Sequence, residues 1–166
     1  MAEYLEKERI HVRISLTGED PLDGELSLAP VAEAHDGPES VLDILNGPSR
    51  FIPFVRGDDR SVLLLSRTNI NWMVTGPGVD TQRVCPANFM VTREESVHVT
   101  FTDGRGIDGL IQMELPEGMN RASDFLNCPE EFFALRSRLG VVLVNKTRVR
   151  DVLVHEPSPL PISRNR

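Results

Sequence analysis

The sequence has few of the features that identify secreted or membrane proteins. It contains only two cysteines, Cys85 and Cys128, which do not form a disulfide framework and favour two reduced thiols. No apolar run approaches the roughly 20 residues needed to span a bilayer. The first residues are charged and lack the apolar core of a signal peptide. We therefore expect a cytoplasmic protein that does not associate with a membrane.

Motifs that bind nucleotides or carry nucleophilic catalysis are also missing. The chain has no P-loop, no G-x-G-x-x-G and no G-x-S-x-G. The four histidines lack the spacing of a zinc motif. The sequence therefore predicts no catalytic residue, no cofactor and no metal, and we expect that the protein is not an enzyme.

Basic residues are too few to form an obvious phosphate-binding face. The chain has 18 Lys and Arg against 25 Asp and Glu, which gives a net charge of −7. A protein that binds phosphate backbones usually presents a basic surface. The acidic balance therefore disfavours nucleic acid as a partner, although it does not exclude it.

What the sequence does contain is an internal repeat. The segment V-R-I-S-L-T at Val12 returns as V-H-V-T-F-T at Val97, and later blocks follow in the same order. The offset is 85 residues at Gly24/Gly109 and 81 residues at Asp43/Asp124. A slowly drifting offset is typical of a duplicated domain whose loops have shortened.

The pattern of each repeat is mainly that of β-strands. Apolar and polar residues alternate through both copies, which predicts half-buried strands. A short helix is expected near residues 39–46 and 121–127. Gly24 and Gly109 interrupt equivalent strands, which predicts a bulge or sharp bend that could curl a small sheet.

We therefore predict two tandem small β-barrel or β-sandwich modules of Sm/SH3-like type, each with one short helix. The Pro- and Gly-containing segment that starts at Gly76 predicts the boundary between them. The expected divisions are a first module at 1–75, a linker at 76–91, a second module at 92–156 and a flexible tail at 157–166.

Polar residues repeat at equivalent positions around each predicted helix. Asp43 and Asp124 could belong to a site, but a helix cap or an exposed helical position explains them better. Asn46 and Asn127 are each followed two residues later by proline, so we expect them to end their helices in a left-handed conformation.

Three residues are candidates for contact with a partner. Arg67 and Lys146 occupy equivalent positions in a turn, where they could bind an acidic partner or remain solvated. Trp72 has Asp151 as its equivalent, so the shared core does not require it. We expect Trp72 to lie between the modules or against a partner, and we expect Phe51 and most other phenylalanines in the core.

The second repeat resembles a known family. From Val97 it reads V-H-V-T-F-T-D-G-R-G-I-D-G-L, which is similar to the first motif of Sm-like proteins in its alternation, its Asp-Gly turn and its strand glycine. This resemblance implies a small curled sheet of five strands and RNA binding. The whole repeat also resembles small bacterial β domains without an assigned function.

The sequence favours a non-catalytic protein-interaction or scaffold module with a protein partner or self-association. Two alternatives stay open at this point. One is a nucleic-acid-binding protein of Sm-like type, and the other is an enzyme with a site at the interface between the modules.

Overall fold

The structure of the protein is a computed structural model that describes residues 6–116, 118, 119 and 121–155. Strands make up most of its regular structure, and the prediction of a mainly β fold is confirmed. The predicted tail at 157–166 and residue 156 of the second module lie outside the described residues.

The first half of the chain forms five strands and one short helix, which we call the first module. They are β1 (Glu8–Leu16), β2 (Leu22–Leu28), α1 (Val41–Leu45), β3 (Phe51–Arg56), β4 (Val62–Ser66) and β5 (Ile70–Thr75). A 3-10 turn, Arg67–Asn69, connects β4 to β5.

The linker contains a short helix that the sequence pattern does not predict. This helix, α2 (Thr81–Val84), is capped by Asp80, whose side chain accepts a hydrogen bond from the Gln82 main chain. Val84 is buried in the core of the first module. Arg83 donates to two main-chain carbonyls of that module. The linker is therefore packed onto the first module.

The second half repeats the order of the first, and we call it the second module. It comprises β6 (Arg93–Phe101), β7 (Gly106–Met113), α3 (Ala122–Leu126), β8 (Phe132–Ser137), β9 (Gly140–Asn145) and β10 (Val149–Val154). A 3-10 turn, Lys146–Arg148, precedes β10.

All ten strands belong to one antiparallel sheet with the order β10-β6-β7-β8-β9-β5-β1-β2-β3-β4. Each module contributes the same internal order, with its last strand beside its first. Neither module forms the closed barrel that was one of the two predicted alternatives, because β5 of the first module pairs with β9 of the second in one continuous sheet. Among the described residues, β4 and β10 are the outermost strands of the sheet.

No bulge occurs at Gly24 or Gly109, the two glycines for which the sequence predicts a bulge or a sharp bend. The register of β1 with β2 runs unbroken through Gly24. A Cβ atom on Gly109 would lie 2.6 Å from the Arg136 carbonyl oxygen and 2.8 Å from Leu135 Cγ. A Cβ atom on Gly24 would similarly overlap the Val55 carbonyl and the Phe54 ring. Glycine is therefore required because a Cβ atom at either position would overlap atoms of the neighbouring strand.

The helix ends also differ from the prediction. Asn46 has φ −94° and ψ 2°, and Asn127 has φ −91° and ψ 1°. Neither residue is left-handed, so that expectation is wrong. The beginning of α1 agrees with the capping role predicted for Asp43, because Ser40 and Asp43 form a reciprocal capping box.

Candidate interaction surface

The two modules meet along β5 and β9, and we call this contact the module junction. Its main-chain pairs are Trp72 with Val144, Met73 with Leu143, and Val74 with Val142. Successive side chains of a strand point to opposite faces. Both strands therefore present one row of side chains to each side of the continuous sheet.

The hairpin of β8 and β9 is buried on both of its faces. Phe133, Leu135 and Val142 pack into the core of their own module. Phe132 and Leu143, which point the other way, belong to the core of the first module. The second module therefore completes the core of the first.

Asn46 ties the helix of the first module to the second module. Its side-chain amide donates to the Phe132 carbonyl at 3.2 Å, and its side-chain oxygen accepts from the Phe132 main-chain N–H at 2.8 Å. The equivalent Asn127 instead donates to Ser123 within its own helix at 2.8 Å. One member of the repeated pair thus acts across the junction.

Asp124, the equivalent of Asp43, lies half-buried in α3.

Arg67 and Lys146 contact equivalent helix ends. Arg67 donates to the Gly47 carbonyl, and Lys146 donates to the equivalent Cys128 carbonyl at 3.0 Å. Arg67 Nε also lies 3.3 Å from a Glu131 carboxylate oxygen of the other module, an ion pair without a hydrogen bond. Both side chains are therefore engaged within the chain.

Trp72 lies at the module junction, half-buried against the core of the second module.

A second contact across the junction joins two turns. Asp103 accepts hydrogen bonds from the Gly18 main chain at 3.0 Å and from the Asn71 side chain at 2.9 Å. Burial opposes ionisation of Asp103, but these bonds and one from the Arg105 main chain hold its pKa below the ordinary value.

The hairpin of β3 and β4 is equivalent to that of β8 and β9, but no part of the chain that the structure describes covers one of its faces. We call this outer face the free hairpin face; it comprises Phe51, Pro53, Val62 and Leu64. Phe51 is 58% exposed and Leu64 is 65% exposed. Their equivalents, Phe132 and Leu143, are 2% and 1% exposed. The expectation that Phe51 lies in the core is therefore wrong.

A groove of about 1140 Å³ runs between α1, α3 and β8. The polar side chains on its wall include Asp43, Asn46 and Lys146. Asp43 is hydrogen-bonded to Ser40 and to His35, Asn46 to Phe132, and Lys146 to main-chain carbonyls. Partial burial lowers the pKa of Lys146, which also lies 5.4 Å from the centre of the Phe125 ring. These groups support the helix ends that form the groove.

Cys85 and Cys128 are free thiols. Burial, with a smaller contribution from Asp43, raises the pKa of Cys85 to about 12, so this thiol remains protonated at neutral pH.

Within the described part of the chain, no three His, Cys, Asp or Glu residues lie together as metal ligands would. None of the helices that the structure describes has the length and apolar character needed to cross a membrane.

Comparison of the chain with protein-family models, curated proteins and solved structures gave no match. The fold and the exposed surfaces are therefore the basis for an assignment of function.

Sequence reasoning missed the free hairpin face, although a signal for it exists. The segments F-I-P-F-V and V-L-L-L are apolar at successive positions rather than alternating. Such a run is typical of a strand that is covered on both sides. The signal correctly describes β8 and β9, whereas β3 and β4 are covered on one side only.

Proposed function

We propose that the protein is a non-catalytic protein-interaction module and that the free hairpin face is its contact surface. The observation that carries this proposal is the pair Phe51 and Leu64, which are large, apolar and exposed where their equivalents are buried. A contiguous apolar patch on a soluble protein marks an interaction site more often than a neutral surface.

The chemistry of the adjacent sheet edge supports a protein partner. Residues 61–66, which include β4, carry no charge and no proline. Natural proteins usually protect an edge strand with charges, proline or a bulge. The opposite edge, β10, has charges only at Arg150 and Asp151, near its beginning, and residues 152–154 carry none. An unprotected edge next to an apolar face is suited to the addition of a strand from another chain.

The distribution of charge favours a protein over a nucleic acid. Nine arginine side chains among the described residues form ion pairs with carboxylates. These arginines are Arg13, Arg56, Arg60, Arg67, Arg83, Arg93, Arg105, Arg136 and Arg150. Paired guanidinium groups contribute little to a positive potential that could attract phosphates.

Three groups that could perform acid–base or nucleophilic chemistry are buried or engaged in structural contacts, which supports a non-catalytic role. Asp43 binds His35 Nε2 at 2.8 Å and completes the cap of α1. Lys146 holds the end of α3 through two carbonyls. Cys85 is a buried thiol with a raised pKa.

The test compares proteins recovered with three tagged forms of the chain from the host cell. These are the wild type, Leu64→Asp and the control Val31→Asp. Val31 is 60% exposed and Leu64 is 65% exposed, so the two substitutions match in exposure and in charge introduced. We expect the wild type and Val31→Asp to retain the same proteins, including untagged copies of this chain, and Leu64→Asp to lose them.

Equal recovery by all three forms, or recovery of nothing by any form, would overturn the proposal. The melting temperature of each variant serves as the control for folding, because neither side chain belongs to a core cluster.

A further inference from the structure

The module junction joins two different surfaces. The second module contributes the hairpin of β8 and β9, and the first module contributes β5 and α1. Because the chain is a repeat, it possesses each of these surfaces twice. The second copy of the hairpin is that of β3 and β4. The second copy of the surface that receives a hairpin, which we call the receptor, consists of β10 and α3. They lie at opposite ends of the sheet.

The second receptor is exposed, like the free hairpin face. Leu153 on β10 is 58% exposed, whereas its equivalent Val74 at the junction is 7% exposed. Val152 is half-buried, and its equivalent Met73 is fully buried. The chain therefore carries both halves of a second junction, one at each end.

We propose that a second copy of this chain covers the free hairpin face, with its β10 paired to β4 and its α3 beside β3. This inference rests on the proposed function, since it names the partner of the same surface. The module junction defines the expected geometry. By equivalence with Val74–Val142 and Met73–Leu143, Leu153 of one copy pairs with Leu63 of the next, and Val152 pairs with Leu64.

A hydrogen bond of the junction can also be repeated. Asn127 is equivalent to Asn46, and Phe51 is equivalent to Phe132. In the assembly, the exposed Asn127 side chain of one copy reaches the Phe51 main chain of the next, as Asn46 reaches Phe132 within the chain.

Two polar differences make the second junction weaker than the first. Asp151 replaces Trp72, which packs against the second core. The ion pair of Arg67 with Glu131 becomes two like charges, Lys146 facing Arg50. Like charges at a contact oppose association. The contact between copies is therefore reversible and depends on protein concentration, unlike the covalently linked junction within the chain.

The proposed contact is heterologous, because one copy contributes its hairpin and the other its receptor. Each bound copy leaves one hairpin and one receptor free. Assembly therefore continues beyond a dimer, as a ring or an open chain, rather than stopping at a two-fold pair.

The test uses two variants that each block one end. Leu64→Asp blocks the hairpin, and Leu153→Asp blocks the receptor. Both side chains are exposed, so both variants fold. Each substitution places an unpaired charge in the contact and should weaken it about a hundredfold or more. We expect light scattering to show each variant alone at 18.5 kDa and their equimolar mixture at twice that mass.

Mixing restores the contact because each variant supplies the surface that is blocked in the other. A two-fold symmetric contact uses the same surface of both copies, so mixing the two variants would not restore it. A mixture that stays at the monomer mass, with a wild type that is also monomeric at high concentration, would overturn this inference. The proposed function would survive that result if the wild type still retained a different protein through Leu64.

A gain of affinity provides a second readout that damage to the fold cannot produce. Arg50→Glu restores the carboxylate that Glu131 supplies at the module junction, now facing Lys146 of the next copy. We expect self-association to tighten about fivefold. Arg138→Glu is the matched control because it makes the same change of charge at an exposed turn. Equal effects of the two substitutions would contradict the predicted geometry.

Discussion

Replacement of Asn46 by alanine tests the module junction directly. The Asn46 side chain makes two hydrogen bonds to the Phe132 main chain in the other module. Its equivalent, Asn127, ends a helix of the same length with almost the same backbone angles but bonds within its own helix. Asn127→Ala therefore reproduces the change in helix propensity without the loss of a contact between modules.

The expected magnitudes differ between the two variants. A hydrogen bond contributes about 1 kcal/mol net, so Asn46→Ala should lower the free energy of unfolding by about 2 kcal/mol. For a chain of this size, that loss corresponds to a fall of roughly 4–8 °C in melting temperature. Asn127→Ala removes one exposed bond near a helix end and should cost about 0.5 kcal/mol.

The assay is urea unfolding followed by far-ultraviolet circular dichroism, at a protein concentration low enough to keep the chain monomeric. The free energy of unfolding is compared for the wild type and both variants. Equal losses for the two variants would refute the reasoning, because they would show that the bonds from Asn46 to Phe132 add nothing to the stability of the junction.

Three further predictions concern other contacts of the fold. Trp72→Ala should lower the free energy of unfolding by about 2 kcal/mol, as measured in urea, because it empties a half-buried position against the second core; an unchanged value would refute this. Gly24→Ala should cost about 3 kcal/mol in the same assay, because its Cβ would overlap Phe54 and the Val55 carbonyl. The lowered pKa of Asp103 stabilises the fold above about pH 4, and this contribution is lost as pH falls through the folded-state value. Melting temperatures from pH 7 to pH 3 should therefore fall less steeply for Asp103→Asn than for the wild type, and parallel curves would contradict the assignment.

Much of the local structure could be predicted from the sequence. The alternating apolar residues of each repeat correspond to β1 and β6, and the turn at Asp103-Gly104 lies between β6 and β7 with Gly104 at φ 88°. The short helices α1 and α3 lie within the predicted ranges. These features depend on residues close together in the chain, and turn chemistry and periodicity report on such residues.

The arrangement of the modules depends on contacts that local patterns do not encode. The pairing of β5 with β9 joins residues about 70 positions apart, such as Trp72 and Val144. Both hairpins are apolar on both faces, so the pattern alone cannot show that one is covered and the other is exposed. The exposure of Phe51 follows only from the open sheet, in which no described strand lies on the outer side of β4.

The most direct test of the central claim is hydrogen–deuterium exchange of the β4 and β10 main-chain amides at increasing protein concentration. We expect exchange to slow in both edge strands as concentration rises, while the rates in β1 remain constant. Exchange rates in β4 and β10 that do not change with concentration would contradict the claim that these two edges bind each other in successive copies of the chain.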